Sequence, residues 1–235
     1  LAMRLRLNGP EHLQTAWGYH VLSEALRAQH KFREALQAHR QALTIMRKAL
    51  PSGHPSTATA LTAVIRTLES ADSSHALADQ VSLADLSQWE SVFHDVIATT
   101  KPAKLGSNDP VVVAVWGLAK CSDVYVDLAN ELAAAGKTEE AGESRQKAIL
   151  LLEGLLGLQS QFSGNPNLLA YVYGYGTLAL AKAGRPEQAH ALARKLLEPT
   201  TRTTSYWQNI VAWHLATSEV TTQRDPALAV ELAEK

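Results

Sequence analysis

The tripeptide Gly136-Lys137-Thr138 has the composition of a nucleotide-binding motif. A phosphate-binding loop also needs a glycine five residues before the Gly-Lys pair, and a strand ahead of it. Position 131 holds Glu131, and the residues before it follow a helical pattern. Without that glycine the backbone amides cannot wrap around a phosphate. We therefore predict a turn between two helices here, with Gly136 in the left-handed conformation that ends the first helix.

The other residue types that support catalysis form no recognisable constellation. The nine histidines lack metal-ligand spacing, and His12 and His54 occupy equivalent turn positions, which favours a structural role at helix starts. No Ser/His/Asp order, paired-carboxylate motif or kinase signature is present. Cys121 lies in a helical pattern and is interpreted as a small buried apolar side chain. We predict a non-enzyme without cofactor or metal.

Two glycines in the segment Tyr173–Gly176 lie inside a predicted helix, where each costs about 1 kcal/mol relative to alanine. Close packing of another helix against them would compensate that cost. A groove floor open to a ligand is the alternative.

Composition excludes several classes of partner. The chain has 235 residues, of which 46% are apolar and 19% charged, and its 22 basic and 23 acidic residues are interspersed. Since no basic stripe exists to neutralise phosphates, we expect no nucleic-acid partner. No apolar run approaches the roughly 18 to 20 residues that span a bilayer, so no membrane partner is expected. The single cysteine fits a reducing compartment, and we predict a cytoplasmic protein.

Helical periodicity organises the segment 11–51. A short link, Ala28 to Phe32, joins two apolar stripes at helical spacing, which predicts two antiparallel helices. We expect the residues of both stripes to face the core. They are Leu13, Trp17, Val21, Leu22, Ala25 and Leu26 in the first helix, and Ala35, Leu36, Ala42, Leu43, Ile45 and Met46 in the second.

Small residues stand where these two helices would touch, at Ser23, Ala35 and Ala42. The same small positions recur at Ala141 and Ala189. This pattern resembles the tetratricopeptide repeat. The resemblance implies an all-α fold, a right-handed α-solenoid of antiparallel helix pairs.

The first residues of the chain resemble an internal segment. Leu1 and His12 correspond to Leu43 and His54, a constant offset of 42 residues. This period resembles that of the kinesin light chain repeats, and it predicts that the chain is a fragment whose first helix has its partner upstream. The last repeat resembles the helical-repeat tails of bacterial multidomain serine/threonine kinases. We therefore expect a piece of a larger bacterial protein.

The repeat pattern predicts one helical-repeat domain over residues 1–235. After Ala71 no clear Ala-anchored second helix follows, so we expect a loose link and then a helix from about Ser82 to Thr100, capped by Ser82 and Asp85. Residues 101–110 are predicted to be a loop in which Asp109 and Pro110 open the next helix. The predicted parts are the tail of a preceding repeat (1–7), a repeat (11–51), a degenerate repeat or insertion (55–108), two repeats (109–162 and 166–199) and a truncated last repeat (203–235).

The resemblance also implies a partner-binding surface, because the first helix of each pair lines the concave wall of such a solenoid. Tyr171 and Tyr175 share one helix face, and we expect both to be exposed aromatics. For Trp17 the alternative to partner binding is packing in the core. For Glu24 and Arg27 the alternative is an ion pair exposed to solvent. The implied peptide- or partner-binding residues are Trp17, His20, Glu24, Arg27, Asp123, Asp127, Asn130, Tyr171, Tyr175 and Lys182.

Two functions follow from this interpretation and both remain open at the level of sequence. The first is a non-catalytic protein–protein interaction scaffold that holds a peptide or partner protein on the concave face. The second is a structural spacer or dimerisation module, and hence a possible homodimer, attached to a catalytic domain such as a serine/threonine kinase. His20 and Glu24 replace the Lys and Asn of the family's clamp for a C-terminal carboxylate, so that activity is not expected.

Overall fold

The regular structure is helical throughout the described part of the chain. The computed structural model describes residues 1–100, 109–162, 164–198, 205–218 and 220–234. No strand occurs in these ranges, and the fold is all-α, of the helical-repeat class, as predicted. The chain divides into two compact units, Leu1–Gly117 and Leu118–Lys235. None of the described helices combines the length and the apolar composition that crossing a lipid bilayer requires.

Unit 1 is built from successive helices that pack against their neighbours. Helix α3 packs against both α2 and α4, and α1 packs on α2. The helices are α1 (Ala2–Asn8), α2 (Leu13–Ala28), α3 (Phe32–Ala49), α4 (Pro55–Ser73), α5 (Leu77–Gln80), α6 (Leu83–Thr99) and the beginning of α7 (Pro110–Ala134).

Unit 2 continues with α7 and is organised around α9. Helix α9 contacts α8, α10 and α11, and α11 pairs with α12. The helices are α8 (Thr138–Gly157), α9 (Pro166–Lys182), α10 (Pro186–Arg194), α11 (Ser205–Thr217) and α12 (Pro226–Ala233). Short 3-10 turns lie at Gln159–Phe162, Lys195–Leu197 and Thr221–Gln223.

Small side chains lie at the contacts between paired helices, as the repeat pattern predicts. Ala35 and Ala189 are 0% exposed, and Ala141 is 1% exposed. Ser23 is equally buried and faces α3, where its hydroxyl lies 3.0 Å from the His39 ring. Because the helix backbones approach closely at these points, a bulkier residue at Ala35 would overpack the contact at a cost of about 1–3 kcal/mol.

The predicted apolar face of α2 is wrong in its register. Val21 is 62% and Leu22 is 36% exposed. The buried residues of α2 are instead Thr15, Ala16, Gly18 and Ser23. Helix α2 therefore packs through its small residues, and its large apolar side chains lie at the edge of that contact or in solvent.

Four turns between helices share one geometry. His30, His75, Gly136 and Gly184 all have positive φ, at 58°, 50°, 79° and 77°. In each turn this residue donates its N–H to the carbonyl three residues earlier, and the next N–H donates to the carbonyl five residues earlier. This is the Schellman arrangement that ends a helix. The left-handed turn predicted at Gly136 is confirmed.

The turn at His75 leads directly into a short second helix, so the expected loose link is wrong for Leu77–Gln80. Gln80 stands five residues after the turn, where Ala35, Ala141 and Ala189 stand after theirs. Its side-chain oxygen accepts from Phe32 N at 2.8 Å, which ties α5 to the start of α3.

Helix starts behave as the sequence predicts. The Nδ1 atoms of His12 and His54 accept from the backbone two residues later, at 3.1 Å each. Ser82 and Asp85 form a reciprocal capping box at the start of α6. Helix α7 begins at Pro110, as expected. The predicted loop at residues 101–108 lies outside the described residues.

Candidate functional site

A groove in unit 1 brings together two of the four predicted site residues of α2 and the facing side chains of α4. We call it the α2/α4 groove. It encloses about 380 Å³. Its floor consists of small side chains, so a bound chain could approach the helices closely. The groove is lined by His20 and Glu24 from α2 and by Pro55, Ala58, Thr59, Thr62, Ala63 and Arg66 from α4.

Polar atoms of two groove residues on α2, and of the neighbouring Arg27, are buried without a partner among the described residues. These atoms are Nδ1 of His20, Oε1 of Glu24 and Nε of Arg27. The other Glu24 oxygen accepts from Arg27 at 2.8 Å, and Arg27 also donates to Ser70 of α4 at 3.3 Å. Leaving a buried polar atom unpaired costs about 1–3 kcal/mol. A hydrogen bond to a ligand would remove this cost once small side-chain movements expose the atoms to the groove.

The Glu24 carboxylate is ionised in this setting. Burial raises its pKa, but the hydrogen bond and the charge of Arg27 outweigh burial, so that the pKa lies below its ordinary value. One carboxylate and one imidazole offer fewer ligands than the four of a structural zinc site. The groove therefore provides polar recognition groups and no complete metal-binding set.

His39 of α3 contacts both helices that form the groove. Its ring lies between Ser23 Oγ of α2 at 3.0 Å and Thr67 Oγ1 of α4 at 3.1 Å, and the residue is 0% exposed. Burial and the neighbouring His20 lower the pKa of His39 to about 4. The ring is therefore neutral at pH 7 and has one N–H to donate to these hydroxyl oxygens. Both hydroxyls donate to backbone carbonyls, Ser23 to His20 and Thr67 to Ala63. The His39 ring fixes the spacing of α2 and α4.

In unit 2 the predicted charged residues come together and pair with one another. Lys182 Nζ lies 2.8 Å from Asp123 Oδ1 and 2.6 Å from Asp127 Oδ2, and Lys120 Nζ lies 2.9 Å from Asp123 Oδ2. We call these four residues the α7/α9 ion cluster. Its two carboxylates and two ammonium groups balance. Because these charges neutralise one another within the protein, the cluster has little net charge with which to attract a partner.

The pKa values in the cluster follow from this pairing. Burial raises the pKa of Asp123, but the charges of Lys120 and Lys182 outweigh burial and lower it to about 2. Burial lowers the pKa of Lys182, and Asp123 and Asp127 more than reverse that effect, so it is raised. Asp123 and Lys182 are therefore both charged at pH 7.

The aromatic residues of α9 pack against α11. The Tyr175 ring centroid lies 4.4 Å and that of Tyr171 lies 5.8 Å from the Trp207 ring, both edge-on. Tyr175 is only 8% exposed and Tyr171 is half-buried, so the expectation of two exposed aromatics is wrong. A Cβ on Gly174 would collide with the Trp207 ring. Close packing explains this glycine.

The two remaining predicted residues lie apart from these clusters. Asn130 is exposed, and its side-chain oxygen accepts from Arg145 at 3.1 Å. Trp17 is half-buried and packs edge-on against His20, with ring centroids 5.5 Å apart. It is not among the residues that line the α2/α4 groove.

Comparison with known proteins identifies the first helices. The family model described as Tetratricopeptide repeat matches residues 1–48, which span α1, α2 and nearly all of α3. Residues 1–48 form a repeat of the tetratricopeptide type. Such repeats generally mediate protein–protein interactions. No curated protein matches the chain.

The α4 side of the groove is absent from the predicted site, although the 42-residue offset in the sequence contains the signal. Adding the 42-residue offset to the predicted Trp17, His20 and Glu24 gives Thr59, Thr62 and Arg66. All of the latter residues line the groove. Arg66 is exposed, and its guanidinium has no hydrogen bond or ion pair to any described residue. The 42-residue offset therefore indicates Arg66 as a groove residue.

Proposed function

We propose that this protein is a non-catalytic interaction scaffold and that the α2/α4 groove holds an extended peptide segment of a protein partner. The observation that carries the proposal is the coincidence of unpartnered buried polar atoms with a floor of small side chains. Residues 1–48, which contribute the α2 wall, match a family whose repeats bind proteins.

The groove suits the main chain of a peptide. An extended segment presents alternating N–H and C=O groups with no internal hydrogen bonds. Glu24 Oε1 accepts an N–H, and the guanidinium of Arg66 donates to a C=O. His20 Nδ1 adds a further polar contact. The floor residues Ala58 and Ala63 carry only a methyl group, which leaves room for the backbone to approach.

A peptide library displayed on phage and selected against the full chain tests this proposal. The binding of selected peptides, labelled with a fluorophore, is then measured by anisotropy. Thr62→Trp fills the groove, and we expect it to weaken binding by about tenfold or more, which corresponds to 1.4 kcal/mol. The matched control is Thr44→Trp on the exposed face of α3, which should leave the affinity unchanged.

The outcome is read only for variants whose circular dichroism and melting match those of the parent chain. Failure to enrich any peptide, or equal affinity of the parent and Thr62→Trp for every selected peptide, contradicts the proposed site. Weakening by Thr44→Trp alone would place the interaction on α3 instead.

A further inference from the structure

A second groove lies in unit 2, between α8 and α10. Helix α8 contributes Ile149, Leu152, Glu153 and Leu156, and the chain of α10 and its 3-10 turn contributes Gln188, Ala191, Leu192 and Lys195. Both sets follow the spacing i, i+3, i+4, i+7, which is one face of a helix. Leu180 of α9 forms the floor, and the enclosed volume is about 290 Å³. We call this the α8/α10 furrow.

The depth of the furrow depends on a glycine of α9. A Cβ at position 176 would lie 2.7 Å from the side chains of Leu152 and Leu192. Because Gly176 has none, these two leucines settle onto α9 and leave an apolar hollow above them. An apolar cavity of about 150 Å³ binds benzene. The furrow is about twice as large and accommodates two aliphatic side chains.

We infer that the α8/α10 furrow docks an amphipathic helix of a protein partner, with its apolar stripe inward and a basic side chain at Glu153. The alternatives for peptide recognition do not suit this surface. Strand addition needs an exposed sheet edge, and the described residues contain no strand. Recognition of a polyproline helix needs a groove lined by aromatic rings, and no aromatic residue lines the furrow.

Charge at the rim defines the partner further. Glu153 is exposed and has no ion pair or hydrogen bond to any described residue. Lys195 is engaged already, since its Nζ lies 5.5 Å from the Tyr173 ring centroid and 3.5 Å from Gln159 Oε1. The charged group at the rim that has no partner among the described residues is therefore the Glu153 carboxylate, which is negative. A Lys or Arg of the docked helix complements it.

This surface is separate from the α2/α4 groove, because it belongs to unit 2 and shares no residue with the first site. If the α2/α4 groove binds no peptide, the inference for the α8/α10 furrow is unaffected. If the furrow binds no helix, the proposal for the groove is unaffected.

Titration of the full chain with two synthetic helical peptides tests the inference. The first is a blocked peptide of about four helical turns with leucines at i, i+3, i+4 and i+7 and lysines at the other positions. In the second peptide every lysine is replaced by glutamate. Calorimetry should show the lysine peptide binding about tenfold tighter or more. Methyl resonances of Leu152, Leu156 and Leu192 should shift on binding.

Two pairs of variants locate the binding. Ala191→Trp fills the furrow and should abolish binding, whereas Ala98→Trp on the exposed face of α6 should leave it unchanged. Glu153→Lys should reverse the preference between the two peptides, and Glu140→Lys at the exposed start of α8 should retain it. No binding of the lysine peptide, unchanged binding to Ala191→Trp, or methyl shifts elsewhere would overturn the inference.

Discussion

Asp123 is a carboxylate whose side chain is 4% exposed and which accepts hydrogen bonds from two lysines. Its charge is stabilised by those partners, and it links α7 to α9 through Lys182. Removing one member of a buried ion pair leaves the others buried without compensation, which typically costs about 3–5 kcal/mol. A surface pair contributes about 1 kcal/mol or less.

Asp123→Asn should therefore lower the free energy of unfolding by about 3–5 kcal/mol at pH 7, measured by urea denaturation. The control is Asp95→Asn, which removes a half-exposed carboxylate that pairs with Arg47 on the surface of unit 1. We expect the control to cost about 1 kcal/mol or less. Equal costs for the two variants would show that burial of the α7/α9 ion cluster is not decisive.

The difference in unfolding free energy between the parent chain and Asp123→Asn should depend on pH. The pKa of Asp123 is lowered from 3.8 to about 2 in the folded chain, so its contribution is fully present above about pH 4 and is lost as the pH falls toward 2. The pH-dependent part of this contribution amounts to about 2 kcal/mol. The difference in unfolding free energy between the parent chain and Asp123→Asn should therefore shrink over that interval.

The absence of a Cβ at Gly174 leaves space for the Trp207 ring to pack against α9. In an exposed helix Gly→Ala stabilises by about 1 kcal/mol. At Gly174 we expect the opposite sign, with a loss of about 1–3 kcal/mol, because the new methyl group overlaps the Trp207 ring. Gly154→Ala in α8 is the matched control, since nothing lies within 4 Å of its Cβ position. Thermal denaturation of both variants tests the prediction, and a stabilised Gly174→Ala would contradict the packing described.

At the scale of helices, Gln80 replaces the alanine that anchors the other second helices. Its side chain accepts from Phe32 N, one of the N–H groups at the start of α3 that lack a partner within the helix. Gln80→Ala gives this position the residue type of Ala35, Ala141 and Ala189 but removes this acceptor. We expect a loss of about 1–3 kcal/mol in unfolding free energy. Gln80→Glu keeps an acceptor and should stay close to the parent value; similar losses for both would contradict the role of this bond.

The helix pairs could be predicted because small residues and turns recur in the sequence. Ala35, Ala141 and Ala189 were found in this way, and each is buried. Gln80 could not be recognised as their counterpart, since its role depends on Phe32, which lies 48 residues away. The buried face of α2 was misjudged because apolar periodicity ranks large residues first, whereas α2 packs through residues such as Gly18 and Ser23.

The candidate site could be predicted in part. The resemblance to tetratricopeptide repeats predicts His20 and Glu24 on the groove wall. The exposure of a predicted side chain, however, depends on neighbours from other helices, which the helical pattern of one segment does not identify. Tyr175 was expected in solvent because Trp207, which covers it, lies 32 residues later in another helix. For the same reason Asp127 and Lys182 were interpreted as partner contacts, whereas they pair with each other.

At the scale of the whole molecule, a helical-repeat fold has interactions mainly between neighbouring repeats, so its stability is distributed along the chain. Local changes should then accelerate amide hydrogen exchange mainly in the helices that they touch. For Gln80→Ala we expect the largest acceleration in α3 and α5. For Gly174→Ala we expect it in α9 and α11. Each variant serves as the control for the other, measured by mass spectrometry on peptides from the full chain. A uniform acceleration by either variant across all described helices would indicate a single cooperative unfolding unit, because only global opening couples amides that share no contact.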